Sequence, residues 1–303
     1  MKLVSYEVEG RQEIGVLVGE ARDRIVSLSL AQAHFAMLPA HPLSVHQPMV
    51  DLITSWQDNK PWVEAIVAQR QPDWSADQVH LLAPVPKPGK LLAIGLNYLE
   101  HVQEQIVGET RDVPQHQIWF TKLGHAINGP YDPIMLPSVS QATDYEGEMV
   151  AIIGRRCKHV PRERAHEVVF GYCVGNDVSV RDWQKRTPQW TLGKSFDTHA
   201  PFGPCITTAD EVGDPHALEL RCWVNGELRQ SSNTRLMIFN LWDQIAHLSQ
   251  AMTLEPGDVI YTGTCSGVGA AFNPPKFLQD GDVVRVGIER LGYIESRCVQ
   301  EQV

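Results

Sequence analysis

Apolar and polar residues alternate in short runs over the first thirty residues of the chain. Residues 3–8, 14–18 and 24–28 each have a β-like pattern and are separated by polar breaks, which predicts a small antiparallel meander. Two later stretches, near 45–56 and 61–70, carry apolar residues at mixed spacings of three and four, which predicts helices. The beginning of the chain is therefore predicted to be a small α+β unit.

A proline-rich segment separates this unit from the rest. Three prolines and a glycine lie among the nine residues from Leu82 to Lys90, and this composition stops both helices and strands. We therefore place a domain boundary near residue 85, with a small N-terminal domain over 1–85 and a larger domain over 86–303.

The larger part has more predicted strands than helices. Predicted strands cover residues 90–94, 149–153, 172–178, 259–262 and 283–286, and predicted helices cover residues 97–105, 163–170 and 238–252. The pair Asn225-Gly226 lies between two β-like runs and predicts a two-residue hairpin. We expect an α+β fold that is mainly β, with one wrapped or barrel-like sheet system.

Charge and cysteine content narrow the choice of partners and location. The chain has 303 residues and a net charge of −10, which disfavours nucleic acid and anionic lipid as partners. No apolar run approaches the roughly 20 residues that span a bilayer, and the first residues lack the apolar core of a signal peptide. The six cysteines contain no C-x-x-C pair. We expect a cytoplasmic protein with reduced cysteines and no membrane partner.

Three carboxylates in strand-like surroundings are the most informative feature. Glu146 and Glu148 are two residues apart on a predicted strand, so their side chains share a face. Asp177 offers a third carboxylate in another apolar strand. Oxygen ligands without Cys or His favour a hard cation such as Mg²⁺ or Mn²⁺. The alternative is a solvated strand face with Asp177 in a turn, and spacing alone leaves both interpretations open.

Two polar pairs have helical spacing. Arg181 and Gln184 are three apart and would share a face that can bind a carboxylate. His101 and Glu104 are also three apart, and a carboxylate beside an imidazole makes a general-base dyad. Each pair can equally be an ordinary surface pair on a helix.

A lysine and a glycine-rich loop supply further candidates. Lys194 follows a glycine and can hold an anionic group or an enolate oxygen, although a single lysine is usually solvated. The loop over residues 261–269 follows a strand, and its backbone N–H groups and Thr264 can bind an anion. This loop lacks the spacing of phosphate-binding and dinucleotide-binding motifs, so NAD and nucleotides are disfavoured.

Taken together, the motifs resemble those of the fumarylacetoacetate hydrolase family. The matching motifs are Gly95-x-Asn97-Tyr98-x-x-His101, Asp144-Tyr145-Glu146-Gly147-Glu148, Asn176-Asp177-x-x-x-Arg181-Asp182-x-Gln184, Gly193-Lys194-x-x-Asp197-Thr198 and Thr262-Gly263-Thr264. They occur in the family's order over roughly residues 85 to 295. One departure is Cys265, which replaces the usual proline of the family's Gly-Thr-Pro loop.

The resemblance implies a mixed β-roll or barrel catalytic domain, a small N-terminal domain and a homodimer. It implies that Glu146, Glu148 and Asp177 bind Mg²⁺ or Mn²⁺. His101, Glu104 and Lys194 are the catalytic candidates, and the pair of His101 and Glu104 resembles the lid dyad of the acylpyruvase and oxaloacetate decarboxylase branch. The candidates for substrate contact are Arg181, Gln184, Thr264, Tyr98, Lys122 and Thr198.

The expected reaction is metal-dependent C–C bond cleavage of a small anionic 2-oxo acid through an enolate, by hydrolysis of an acylpyruvate or decarboxylation of oxaloacetate. Isomerisation of a hydroxymuconate-type diacid is the alternative reaction. A metal-binding scaffold protein without turnover is the alternative of a different class.

Overall fold

The computed structural model describes residues 1–34, 37–104 and 112–302. Its strands, in chain order, are β1 Lys2–Val8, β2 Arg11–Val18, β3 Arg24–Ser27, β4 Trp74–Ser75, β5 His80–Leu81, β6 Leu91–Gly95, β7 Ile118–Thr121, β8 Ile127–Asn128, β9 Ile134–Leu136, β10 Thr143–Asp144, β11 Gly147–Ile153, β12 Val169–Asn176, β13 Ser179–Val180, β14 Ala200–Thr208, β15 Glu219–Val224, β16 Glu227–Asn233, β17 Val259–Tyr261, β18 Val283–Ile288 and β19 Gly292–Gln300.

Helices are short and lie mostly around the sheets. The α-helices are α1 Leu28–His34, α2 Pro48–Thr54, α3 Trp56–Gln69, α4 Leu99–Gln103, α5 Arg181–Gln184, α6 Thr191–Lys194, α7 Ala209–Val212 and α8 Leu241–Ala251. Short 3₁₀ helices cover Ala76–Gln78, Gly124–Ala126, Arg162–Val168, Pro215–Ala217, Thr234–Leu236 and Gly269–Ala271. No helix within the described ranges is long and apolar enough to cross a membrane.

Two large sheets form the body of the molecule, and the expected mainly β, α+β class is confirmed. The larger sheet runs β4-β3-β2-β1-β14-β12-β11-β17-β6-β7, and β5 and β8 pair with its β1 and β14. The second sheet runs β16-β15-β18-β19-β9, and β10 pairs with β13 separately. Strand β11, which carries Glu148, lies between β12 and β17 near the middle of the larger sheet.

The N-terminal meander is confirmed, since β1, β2 and β3 pair antiparallel in sequence. β1 also pairs with β14, with Leu3 opposite Ile206, so the first strands continue the larger sheet. Apolar side chains from both parts of the chain, including Trp62 and Phe202, share one core. The division into two domains near residue 85 stays a prediction.

Several element boundaries differ from those predicted. Helix α8 begins at Leu241 rather than residue 238, because the Asn240 side chain accepts a hydrogen bond from the N–H of Asp243 and caps the helix there. Helix α3 begins at Trp56 rather than residue 61, because Ser55 both ends α2 and accepts the first bonds of α3. The helix predicted over 163–170 is a 3₁₀ helix that ends at residue 168. The last residue of the helix predicted over 97–105 lies outside the described residues.

One buried histidine links the fold to acid stability. His199, the residue before β14, is fully buried, and one of its ring nitrogens lies 2.8 Å from the carbonyl oxygen of Met135. Burial, which disfavours the charged imidazolium, lowers the pKa of His199 to about 3, and Lys122 contributes in the same direction. Below about pH 6.5 the His199 imidazole of the unfolded chain therefore binds a proton, whereas that of the folded chain stays neutral down to about pH 3.

We expect His199 to reduce the free energy of unfolding by about 1.4 kcal/mol for each pH unit below 6.5, down to about pH 3. The His199→Gln variant should lose this contribution, so its unfolding free energy should fall less steeply with acid than that of wild type. Urea unfolding at pH 7.5, 6.0 and 5.0 measures the difference. The exposed His46→Gln variant is the control, and equal slopes for His199→Gln and wild type would contradict the expectation.

Candidate active site

The pairing of β11 with β12 brings three carboxylates together. Gly147 pairs with Asn176, and the N–H of Asp177 donates to the carbonyl oxygen of Glu146 at 2.8 Å. Glu146 and Asp177 therefore lie side by side where the ladder ends, and Glu148 follows two residues into β11. One carboxylate oxygen from each of the three lies within 4.8 Å of the others, and all three residues are buried. The predicted convergence of Glu146, Glu148 and Asp177 is present in the structure.

Three cationic side chains surround these carboxylates. The Lys194 ammonium donates to Glu146 at 2.8 Å and to Asp177 at 2.7 Å. Lys122 donates to the other oxygen of Asp177 at 2.5 Å. Arg181 donates to Glu146 at 2.6 Å and to Asp144 at 2.8 Å. The buried cluster thus holds four carboxylates and three cations, which leaves one negative charge formally uncompensated.

The shifted pKa values follow this distribution of charge. Burial alone would raise the pKa of Glu146, but Lys194 and Arg181 outweigh it and hold that pKa below its usual value. Burial, together with the negative charges of Asp177 and Glu146, raises the pKa of Glu148 well above its usual value. Glu148 is therefore the carboxylate that most needs a further positive charge in order to ionise.

A glycine-rich loop after β17 donates its backbone N–H groups to carboxylates of the protein itself. Gly263 donates to Glu148 at 2.6 Å, and Gly269 and Ala270 donate to Asp144 at 2.7 and 3.0 Å. The sequence predicted that this loop binds an anion; in the structure, the anions on these N–H groups are side chains of the same chain. The loop therefore fixes the orientation of Glu148 and Asp144.

Glycine is required at two places in this loop. Gly263 and Gly267 have φ values of +97° and +100°, in the region that side-chain-bearing residues rarely adopt. A Cβ atom on Gly263 would lie 2.6 Å from the Cβ of Asn97, and one on Gly267 would collide with the carbonyl oxygen of Arg229. The close approach of this loop to the carboxylates therefore depends on both residues.

The His101–Glu104 pair forms as predicted at the end of α4. The two side chains are 2.6 Å apart, from His101 Nδ1 to Glu104 Oε2, and His101 is only 5% exposed. The other oxygen of Glu104 accepts a short hydrogen bond from the N–H of Gly267, on the same glycine-rich loop. Glu104 thus holds one ring nitrogen of His101 and leaves Nε2 as the nitrogen that can exchange a proton.

A cavity of about 580 Å³ opens above the cluster, within the range of small-molecule sites. It brings together predicted site residues from distant parts of the sequence, namely His101, Glu146, Arg181, Gln184, Lys194 and Thr264. Gln184 accepts a hydrogen bond from Arg181 at 3.1 Å, and the Thr264 hydroxyl donates to the carbonyl oxygen of Gly147 at 3.0 Å. His101, two of the three cationic side chains and one of the three carboxylates therefore face a common space.

Three predicted substrate contacts do not line this cavity. Lys122 lies beneath it, bonded to Asp177. The Tyr98 hydroxyl is buried and has no hydrogen-bond partner in the part of the chain that the structure describes, and burial raises its pKa well above the usual value. The Thr198 hydroxyl accepts a hydrogen bond from the N–H of Met135 at 2.8 Å. In this arrangement Lys122 contacts a carboxylate of the cluster, and Thr198 supports the backbone nearby.

Sequence reasoning missed other residues of the site. Asp144 was part of a recognised motif, but its bonds to Arg181 and to the loop come from residues far away in the chain. Lys185, Arg186 and Trp190 line the cavity, and no spacing pattern marked them. The one available signal was the local excess of cationic residues directly after Gln184.

Comparison with known proteins assigns the family. The model of the fumarylacetoacetate (FAA) hydrolase C-terminal domain matches residues 90–299. The chain belongs to the fumarylacetoacetate hydrolase family, and the resemblance seen in its motifs is confirmed.

Some proteins of similar sequence have names that are more specific than the family name. The chain is 48% identical over 223 residues to the mitochondrial oxaloacetate tautomerase Fahd2a of Rattus norvegicus, covering 73% of this chain and 70% of the relative. It is 46% identical over 235 residues to the mitochondrial oxaloacetate tautomerase FAHD2A of Homo sapiens, covering 77% and 74%.

Solved structures share the fold over the full chain. The maleylpyruvate hydrolase of Sphingobium sp. SYK-6, in complex with manganese (II) ion and pyruvate, is 34% identical with a TM-score of 0.80, and all of both chains is covered. The 5-carboxymethyl-2-hydroxymuconate delta-isomerase of Mycobacterium smegmatis is 32% identical with a TM-score of 0.76, again with full coverage. The expected family fold is confirmed, and the chain is a member of an enzyme family.

The buried carboxylates fit a divalent cation on their own chemistry. They offer converging oxygen ligands, which hard cations prefer, and the cluster formally lacks positive charge. Together with the manganese-bound structural relative, this supports a divalent-metal site formed by Glu146, Glu148 and Asp177.

Glu148→Gln should separate metal binding from folding. In EDTA the variant should be as stable as wild type or more stable, because it replaces a buried carboxyl group that lies beside two negative charges and keeps an oxygen for the N–H of Gly263. Wild type should gain about 2.7 kcal/mol of unfolding free energy when Mn²⁺ exceeds its Kd a hundredfold, and the variant should gain much less. Chemical unfolding with EDTA and with added Mn²⁺ measures both effects. The exposed Glu163→Gln variant is the control, and an undiminished gain in Glu148→Gln would exclude Glu148 as a ligand.

Proposed function

We propose that this protein is a divalent-metal-dependent tautomerase of a small 2-oxo dicarboxylic acid of the oxaloacetate type. The observation that carries the proposal is the meeting of one base and two cationic groups on one cavity. His101, oriented by Glu104, and the pair Lys194 and Arg181 all line it. The names of the relatives at 43–48% identity favour tautomerisation over other reactions of the family.

Tautomerisation moves a proton between C3 and the 2-oxo oxygen and breaks no carbon–carbon bond. Neutral His101 accepts the C3 proton at Nε2, because its Nδ1–H donates to Glu104. Lys194 and Arg181 stabilise the negative charge that develops on the 2-oxo oxygen. The proton held on His101 Nε2 is then delivered to that oxygen, which gives the enol and restores His101, and the reverse sequence gives the keto acid.

Glu146, Glu148 and Asp177 would hold Mg²⁺ or Mn²⁺, and the bound ion supplies Lewis-acid polarisation of the 2-oxo group. The side chains around it keep their own tasks. Arg181 is tied to both Asp144 and Glu146, so its guanidinium is held in place before substrate arrives. Its Nη2 is buried and has no hydrogen-bond partner among the described residues, which favours an anionic oxygen from substrate.

Carbon–carbon bond cleavage, the reaction expected first from the sequence, is the second candidate. The maleylpyruvate hydrolase that shares the fold over its full length favours it. Hydrolysis would use the same His101 to activate a water molecule, and decarboxylation of oxaloacetate would need only the stabilised enolate. We also propose that the protein forms a homodimer and is located in the cytoplasm. The related tautomerases of rat and human are named as mitochondrial.

Purified protein, stripped with EDTA and reloaded with Mg²⁺ or Mn²⁺, distinguishes these reactions. The ultraviolet absorbance of the oxaloacetate enol reports tautomerisation after the buffer- and metal-catalysed rate is subtracted. Pyruvate release from oxaloacetate, acetylpyruvate and maleylpyruvate reports cleavage. Pyruvate release without enzyme-dependent tautomerisation would favour the second candidate, and no turnover with any substrate would favour a non-catalytic metal-binding protein.

His101→Ala should lower the tautomerisation rate by about 100- to 10,000-fold, which is the usual contribution of a positioned general base. Mn²⁺ stabilisation should persist in this variant, because His101 is not one of the three carboxylates. Stopped-flow absorbance with oxaloacetate and unfolding with Mn²⁺ measure the two properties. The exposed His34→Ala variant should keep full activity. A His101→Ala rate within about threefold of wild type would remove His101 from the proposed mechanism.

A further inference from the structure

The wall of the cavity carries far more positive than negative charge. Its described lining residues include four cationic side chains, Arg181, Lys185, Arg186 and Lys194, and one acidic side chain, Glu146. The whole chain has a net charge of −10, so this local excess opposes the average of the molecule. Such focusing of positive charge in a cleft favours an anionic ligand.

The cations lie at two depths. Lys194 is 1% exposed and Arg181 5%, and both donate to the buried carboxylates of the cluster. Much of their charge is therefore balanced within the protein. Arg186, Thr187 and Pro188 are exposed and line the outer part of the cavity. The second positive region is thus separate from the floor where the 2-oxo acid reacts.

Arg186 is held in place at this outer region by a contact with the flat face of its guanidinium group. Its guanidinium carbon lies 4.1 Å from the centre of the Trp183 ring, and stacking of this kind leaves the N–H groups free to bind in the plane. Among the described residues, Asp182 forms an ion pair with Arg186 at 3.5 Å, a distance longer than that of a normal hydrogen bond. The other oxygen of Asp182 accepts from Ser140 at 2.6 Å.

The segment that carries Arg186 is anchored at both ends. Helix α5 precedes it, and Arg181 in that helix is fixed by the carboxylate cluster. Trp190 follows it and packs edge-on against Phe120 of β7, with ring centres 5.5 Å apart. Trp190 also packs closely against Gly95 at the end of β6. The position of the outer cation is therefore fixed relative to the floor of the cavity.

We propose that Arg186 forms a second anion subsite that binds the distal carboxylate of the substrate, and that the site thereby selects 2-oxo dicarboxylates over 2-oxo monocarboxylates. This inference rests on the proposed function, in which the first carboxylate and the 2-oxo group bind at the floor. Arg186 contacts neither reacting carbon, so its contribution is to affinity and selectivity rather than to the proton transfer.

Steady-state tautomerisation of oxaloacetate, a dicarboxylate, and acetylpyruvate, a monocarboxylate, tests the subsite in the Mn²⁺-loaded enzyme. Arg186→Ala should raise KM for oxaloacetate about five- to tenfold, as expected for one charge-assisted contact, with kcat within about twofold. Its KM for acetylpyruvate should stay unchanged. Arg186→Lys should restore part of the affinity, and Arg186→Glu should weaken oxaloacetate binding further. The exposed Arg164→Ala variant is the control for loss of surface charge.

Oxalate binding, measured by calorimetry, separates the subsite from the proposed function. Oxalate has the geometry of the reacting end and no distal carboxylate, so Arg186→Ala should bind it as wild type does. Equal changes in KM for oxaloacetate and acetylpyruvate, or no change for either, would overturn the subsite while the tautomerase stands. Failure of wild type to bind oxalate and to convert either acid would overturn the proposed function, and the subsite with it.

Discussion

The structure depends on holding four carboxylates in a buried cluster without unfolding around them. Asp144, Glu146, Glu148 and Asp177 repel one another, and water cannot screen them where they lie. Lys122, Lys194 and Arg181 supply three opposing charges, and N–H groups of the glycine-rich loop supply further donors. Three cations compensate three of the four carboxylates, and the raised pKa of Glu148 marks the carboxyl group that would gain most from a further positive charge.

Strand pairing in the larger sheet sets the positions of these charged groups. The register of β11 against β12 sets Glu146 beside Asp177, and the pairing of β11 with β17 delivers the loop that donates to Glu148. The N–H of Gly267 in the same loop donates to Glu104, so one loop orients both Glu148 and Glu104. A shift of register by one residue would turn Glu148 to the opposite face of the sheet, and the three carboxylates would no longer converge.

The local parts of this site were predictable from the sequence and the long-range parts were not. The i, i+2 spacing of Glu146 and Glu148 and the i, i+3 spacing of His101 and Glu104 encode their geometry directly, and the structure contains both pairs. The N-terminal meander and the Asn225-Gly226 hairpin were predictable for the same reason. Strand β14, by contrast, was not predicted, because its Pro201, Gly203 and Pro204 are residues that usually interrupt strands. The pairing of Asp144 with Arg181 joins residues 37 positions apart, and no local pattern carries it.

The chemistry of the floor does not by itself choose between tautomerisation and cleavage, because both pass through an enol or enolate that Lys194 and Arg181 can stabilise. The choice must come from what lies further out along the cavity. Ile94 and Leu96 line one part of it with apolar side chains, whereas Arg186 and Thr187 line another and offer polar contacts for a substrate. In our proposal, the second charge of the ligand is held at that outer position, and its C3 carbon lies over the floor beside His101. Proton transfer at C3 would then need only His101 as the base, whereas hydrolysis would also need an attacking water, and the names of the relatives favour tautomerisation in the same way.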